Sequence, residues 1–249
     1  MKIVFSIEAS EIVQINEFYN QYKDNYFVQQ RTAWNLSEIK KPPTVNEFWE
    51  ALVMCLLSTQ QRSGPNSPIS RLLNTQPFLI GWDIIMKQEN IENYTVQVLT
   101  DFGGIRRANT IANQLQQNLN YLRTSNFEII QEISTLIHQH SRLNEVRLAN
   151  RVSDTLKGIG QKQSRNLLQY LGLTIYEIPI DSRITKWLNK FGFPILLSAT
   201  ALQDKHYYDF IMDGFNVICD HCGIYPCQLD AAIFVSFDKD EWNETNLVY

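Results

Sequence analysis

A lysine two residues past a Gly-x-Gly turn and an aspartate nineteen residues further on are the features of this chain best suited to chemistry. Lys162 follows Gly160 into the first turn of an expected helix, where desolvation and the positive end of the helix dipole both disfavour the ammonium form. A neutral amine is a nucleophile. Asp181 comes after Ile178-Pro179-Ile180 and opens another helix, so its carboxylate reads as an N-cap. A carboxylate held by backbone amides stays ionised and fixed, and such a group can stabilise a positively charged sugar. Gly158-Ile159-Gly160 would aim consecutive backbone N–H groups at an anion such as a nucleic-acid phosphate. Each feature alone has a plainer reading: a helix corner, a surface lysine, a capping aspartate.

The elements that must position these residues are almost all helical. Apolar residues recur at helical spacing along most of the chain, and the best strand candidate is the short run Met1 to Ile7. Pro42-Pro43 closes an N-terminal segment, and Thr44-Val45-Asn46-Glu47 is a capping box opening a helix through Phe48, Leu52 and Leu56. Further helices are expected at 69–75, 106–122, 127–140 and 142–154, then from the Gly-x-Gly turn to Gly172. Another begins at Asp181, with Ile184, Trp187, Leu188 and Phe191 on one face, and two more cover 206–222 and 227–237. No repeat or clear linker interrupts the series. The expectation is an all-α fold: an N-terminal segment 1–43 packed on the helical lobes, a core 44–237 of two interleaved lobes, and an acidic tail 238–249. A site would lie in the cleft between the lobes.

The formal charge is −4, which argues against a surface uniformly coated in positive potential. Charge is unevenly spread, however. From Arg151 to Lys190 seven basic residues face three acids, whereas Ser198 to Tyr249 carries nine acids against Lys205 and Lys239. The segments Leu56–Gly81 and Gly103–Arg123 contain no acid at all, so three stretches are free to face phosphates. No apolar run reaches membrane-spanning length and the N-terminus lacks a secretory pattern, so a monomeric cytoplasmic protein, nucleoid-associated in a bacterium, is expected, with no membrane partner.

Leu156-Lys157-Gly158-Ile159-Gly160-Gln161-Lys162 together with Ile178-Pro179-Ile180-Asp181 resembles the helix-hairpin-helix DNA glycosylase superfamily, the group containing endonuclease III and 8-oxoguanine DNA glycosylase. The resemblance covers about residues 45–237. It implies a bifunctional glycosylase/lyase with Lys162 as nucleophile and Asp181 as its carboxylate partner, acting on double-stranded DNA in base excision repair and needing no cofactor. Leu56-Leu57-Ser58-Thr59-Gln60-Gln61 is similar to the family segment whose polar residue fills the gap left by an extruded base, which points to Gln60. Gly103-Gly104-Ile105-Arg106-Arg107 resembles the family's wedge loop, a residue short, with Ile105 as the wedge. Arg106, Arg107 and Arg183, with Gly158 and Gly160, are expected at the DNA. Gln228-Leu229-Asp230-Ala231-Ala232-Ile233-Phe234 looks like the helix lining the base pocket of 8-oxoguanine glycosylases. There Phe234 would stack on a flipped base and Asp230, on the same helix face, would read its hydrogen-bonding edge, with Asn166 beside them. The implied substrate is a damaged purine, 8-oxoguanine first among them.

Endonuclease III also carries a four-cysteine iron–sulfur loop. Cys219-x2-Cys222-x4-Cys227 supplies three cysteines and the fourth, Cys55, lies far away in the chain, so these cysteines are expected to be packing residues and no metal is expected. Three rival readings stand beside the repair enzyme: a glycosylase removing a modified base from foreign DNA, a catalytically silent helix-hairpin-helix DNA-binding protein, and an all-helical interaction protein whose Gly-x-Gly is accidental.

Overall fold

Branched apolar residues at helical spacing, each run closed off by a cap, a glycine or a proline, convert most of this chain into helix. The computed structural model describes residues 4–238, 240 and 242–244. Its helices are α1 (Ala9–Tyr22), α2 (Tyr26–Asn35), α3 (Val45–Leu57), α4 (Pro68–Leu73), α5 (Trp82–Ile85), α6 (Ile91–Phe102) and α7 (Ala108–Thr124). They continue as α8 (Glu128–Ser134), α9 (Arg142–Thr155), α10 (Gln161–Tyr170), α11 (Ser182–Phe191), α12 (Lys205–Cys222) and α13 (Pro226–Phe237). Among the described residues every regular element is helical. The expected strand is absent from residues 4–7, and its first three residues lie outside the described ones. A lone alternating run has no partner to complete its ladder. Phe5 instead packs against Phe193 and Phe210, with ring centroids 5.6 and 5.1 Å away.

Two apolar cores form. The first is continuous in sequence: α3 to α10 enclose Phe48, Trp49, Leu52, Leu115, Leu148 and Leu168, all fully buried. The second is assembled from both ends of the chain, where Ile15 of α1 joins Ile178, Ile180, Leu188, Tyr208 and Phe215. α2 lies along α13, and Phe27 and Val28 pack on Ala231 and Val235. The N-terminal segment is therefore two helices built into the second lobe. The cleft falls where residues 172–181 cross from one core to the other.

Local chemistry sets the boundaries around that crossing. Thr44 Oγ1 accepts the Glu47 N–H at 3.2 Å and the Glu47 carboxylate accepts the Thr44 N–H at 2.7 Å, completing the expected capping box of α3. Gly172, at φ +69°, ends α10 in the left-handed region, and Gly192 closes α11 at φ +107°. The helix expected over 127–140 stops sooner: α8 gives way to a single 3-10 turn at 135–137. α6 has no counterpart among the helices expected from sequence, although Asn90 caps it and Ile91, Thr95 and Leu99 form its buried stripe.

Candidate active site

The hairpin before α10 is held from behind. Asn118 of α7 is buried; its amide donates to the Lys157 carbonyl at 3.0 Å and its carbonyl accepts the Lys157 N–H at 2.7 Å. Gly158 sits at φ +81°, a left-handed conformation in which any side chain is strained, and a Cβ there would also push aside the end of the Gln114 side chain, 2.5 Å away. Gly160, the N-cap of α10, has open space where a Cβ would be. Its side of the turn is bare backbone at a helix N-terminus, a shape suited to an anion.

Lys162, in the first turn of α10, points toward Asp181, the N-cap of α11. Nζ lies 4.0 Å from Asp181 Oδ2, with the lysine side chain 39% exposed and the aspartate 15%. The lysine is thus more open to solvent than the desolvated amine expected from sequence. Asp181 Oδ1 accepts the N–H groups of Arg183 at 2.8 Å and Ile184 at 3.4 Å, as its capping role requires. Oδ2 receives the Arg183 guanidinium through Nε at 2.9 Å and Nη2 at 2.5 Å. Burial pushes the Asp181 carboxyl up, but the charge and hydrogen bonds of Arg183, with help from Lys162, outweigh it and leave it below the usual carboxylate value.

The strap carrying Asp181 is fastened on both sides. Glu145 of α9, fully buried, accepts the backbone N–H groups of Ile175, Tyr176 and Glu177 at 2.8–2.9 Å. The Tyr208 hydroxyl of α12 donates to the Ile178 carbonyl at 2.7 Å and accepts the Ile180 N–H at 2.8 Å. Arg165, one turn beyond Lys162 on α10, reaches Glu177 at 2.8 Å with both side chains almost completely buried. It also receives support from Gln161 Oε1 at 2.6 Å and Asn150 Oδ1 at 3.1 Å. The helix bearing the lysine is thereby bolted to the segment bearing the aspartate.

Lys162 and Asp181 open onto a cavity of about 520 Å³ lined from both lobes. Asn166 and Met54 come from the first lobe, Asp230 and Phe234 of α13 from the second, and Phe27 of α2 closes one wall. Asp230 is reached by Gln169 Nε2 at 2.9 Å. Burial pushes its carboxyl up to about 6, the Gln169 hydrogen bond holding it from going higher. Asn166 donates to Gln163 Oε1 at 3.1 Å. Phe234 is covered on both faces: Phe27 stacks on it with centroids 4.6 Å apart, and the Arg183 guanidinium lies 4.3 Å from its ring centre.

The remaining expected DNA contacts lie on two loops at the mouth. Gln60 is exposed at φ 60°, and its carbonyl accepts from Arg106 Nη2 at 2.7 Å. Arg107, left-handed at φ 67°, donates to the Thr59 carbonyl at 3.2 Å. Gln61, and not Gln60, lines the cavity; its Oε1 accepts the Arg106 N–H at 2.9 Å, sewing the two loops together. Ile105 is half-buried against the first core. Arg183 lies inside the site, on Asp181 and Phe234. Sequence reasoning missed Phe27, Gln169, Arg165 and Glu177. For Glu177 a signal existed: a lone acid inside the otherwise apolar run Ile175–Ile180 requires a buried partner.

Cys219 and Cys227 are buried and Cys222 is half-buried; burial pushes all three thiols up, Cys227 to about 12. Among the described residues no group of three or more His, Cys, Asp or Glu is arranged to hold a metal ion. Among them, too, no helix is long and apolar enough to cross a membrane.

No protein-family model and no curated protein matches the sequence. Solved structures do match its fold. The 8-oxoguanine DNA glycosylase of Methanocaldococcus jannaschii superposes with a TM-score of 0.64 at 17% identity, over 93% of this chain and 95% of that one. The M. jannaschii 8-oxoguanine glycosylase/lyase in complex with a 15mer DNA containing 8-oxoguanine gives 0.67 at 16%, over 92% and 100%. The 8-oxoguanine DNA glycosylase of Thermotoga maritima gives 0.64 at 13%, over 93% and 98%. The chain has the two-lobed helical fold of these glycosylases over nearly its whole length.

Proposed function

We propose that this protein is a DNA glycosylase with abasic-site lyase activity that extrudes and excises a damaged purine of the 8-oxoguanine type. The observation that carries the reading is the 4.0 Å approach of Lys162 Nζ to Asp181 Oδ2 at the wall of a cavity large enough for a base. The shared fold with 8-oxoguanine glycosylases supports it, as does the bare Gly160 turn, which is suited to gripping a phosphate beside the extruded nucleotide.

The chemistry follows from the two side chains. Lys162, as the free amine, places its lone pair on C1′ of the deoxyribose. The glycosidic C–N bond breaks, its electron pair leaves with the base, and the departing base takes up a proton. Asp181, ionised, stabilises the positive charge that develops on the sugar as that bond lengthens. Loss of a proton from nitrogen and opening of the sugar ring give a Schiff base; removal of a 2′ proton then expels the 3′ phosphate by β-elimination. Asp230 supports the purine assignment. An ionised carboxylate is acceptor-only, and the guanine edge presents the adjacent donors N1–H and N2–H that would meet it.

Borohydride trapping on duplexes carrying 8-oxoguanine, other oxidised or methylated bases, and an abasic site tests the proposal. A covalent adduct with the abasic duplex, and a preferred lesion among oxidised purines, is expected. No adduct with any duplex overturns the lyase assignment.

A further inference from the structure

The Arg183 side chain occupies two places that the proposed reaction needs. Its guanidinium covers the one face of Phe234 that Phe27 leaves open, at 4.3 Å from the ring centre. The same group donates twice to Asp181 Oδ2, the oxygen nearest Lys162 Nζ. A base cannot stack on Phe234, nor can Asp181 face a sugar without a cation beside it, while the guanidinium stays there. We propose that Arg183 is a gate, displaced from both Phe234 and Asp181 when an extruded base enters the cavity. This rests on the glycosylase reading above.

The exchange is physically balanced. The arginine gives up a carboxylate and an aromatic face, and a neighbouring DNA phosphate offers its planar fork two acceptor oxygens in return. Phe234 loses a cation and gains a stacked base, a contact of comparable strength. Because base and guanidinium compete for one ring face, cavity occupancy is coupled to the electrostatics of Asp181. The carboxylate is released to the sugar only when a base has arrived. An abasic nucleotide brings no base, leaves the gate shut, and should react slowly.

The test compares two duplexes of identical sequence, one with 8-oxoguanine and one with an abasic site at the same position, by single-turnover borohydride trapping. In the wild type the abasic duplex is expected to react at least about tenfold more slowly, one displaced contact's worth of free energy. In Arg183→Gln, which keeps polarity but loses charge and the stacking fork, the ratio should fall to within about threefold. Arg183→Lys keeps a cation near Asp181 without a planar face, and should give an intermediate ratio; it also carries the test if the glutamine variant folds poorly. A purely structural role would slow both duplexes alike, and an unchanged ratio in both variants overturns the gate. No adduct from the wild type on either duplex removes the lyase reading itself, and the gate with it.

Discussion

Asp181 and Asp230 border the same cavity, yet their surroundings push their carboxyls in opposite directions. Asp181 sits at a helix N-terminus with the Arg183 guanidinium and the Lys162 side chain beside it, and their interactions, chiefly those of Arg183, outweigh burial. Asp230 is set into α13 with a hydrogen bond from Gln169 and the weaker pull of the Arg31 and Arg183 charges, and burial wins. One carboxyl is thereby kept ionised at any ordinary pH, as a group stabilising a cationic sugar must be. The other is pushed up to about 6 and lines the same cavity. Two acids whose environments separate their titration are suited to separate duties, and in the proposed reaction one would stabilise charge and the other would recognise the base.

The comparison is broken most decisively on the side of Asp181. Replacing its partner Lys162 with glutamine should abolish the borohydride adduct and slow strand cleavage by about 10⁴-fold or more, because a nucleophile has no substitute. Single-turnover gel assays with an abasic duplex read this directly, and retention of the adduct would place the nucleophile elsewhere. Next in size is the buried support. Glu177→Ala strands Arg165 without its carboxylate at a site with no solvent, an expected loss of about 3–5 kcal/mol in urea unfolding. A loss under about 1 kcal/mol would mean that the strap is held by Glu145 and Tyr208 alone.

Asp181→Asn separates capping from charge. Asparagine keeps the cap but not the charge, so at neutral pH the variant should lose only the stability that the ionised carboxylate gains from Arg183 and Lys162, while excision slows by about 10²- to 10³-fold. The same charge fixes the pH behaviour. A carboxyl held below its unfolded value contributes stability above that value and loses it as pH falls through the folded one, so the Asp181 contribution should persist from pH 8 to about 5 and fade only in stronger acid. An unchanged excision rate in this variant would reduce Asp181 to a cap.

Much of the Asp181 side was legible in the sequence, because its logic is local: a Gly-x-Gly turn, a lysine in the following helical turn, and a proline before the capping aspartate. The fold around it was legible in part for the same reason, as in the Thr44 capping box. The Asp230 side was harder. Helical spacing put Asp230 and Phe234 on one face, but nothing in α13 indicates that Phe27, some two hundred residues earlier, covers the ring. The N-terminal helices show why. Their apolar faces are completed by distant elements, chiefly α12 and α13, with Trp187 of α11 against Phe18, so the segment reads as unassigned until the tertiary partners are known. The resting place of Arg183 was hidden for a related reason: its basic stretch reads as facing phosphates, and no local pattern pairs it with Phe234, whose ring it covers.

The smallest effect is also the one that sharpens the contrast most. Asp230 titrates near 6 when folded, above the ordinary aspartate value of 3.8, so folding binds its proton more tightly than the unfolded chain does. That advantage is fully present below about pH 4 and is lost as pH rises through about 6; beyond it, burying the charge opposes folding. Asp230→Asn is uncharged at every pH. It should therefore be more stable than the parent at pH 8, by at most about 3 kcal/mol, and indistinguishable from it near pH 4, as urea unfolding at the two pH values would show. The same variant should lose discrimination between 8-oxoguanine and its analogue lacking the 2-amino group, since an amide offers a donor where the carboxylate offered only acceptors. A stabilised variant with impaired recognition would establish that the parent tolerates a buried charge for the sake of reading a base. A variant that is destabilised at pH 8 would instead make Asp230 a structural partner of Gln169, and would leave Asp181 as the cavity's one acid with a chemical duty.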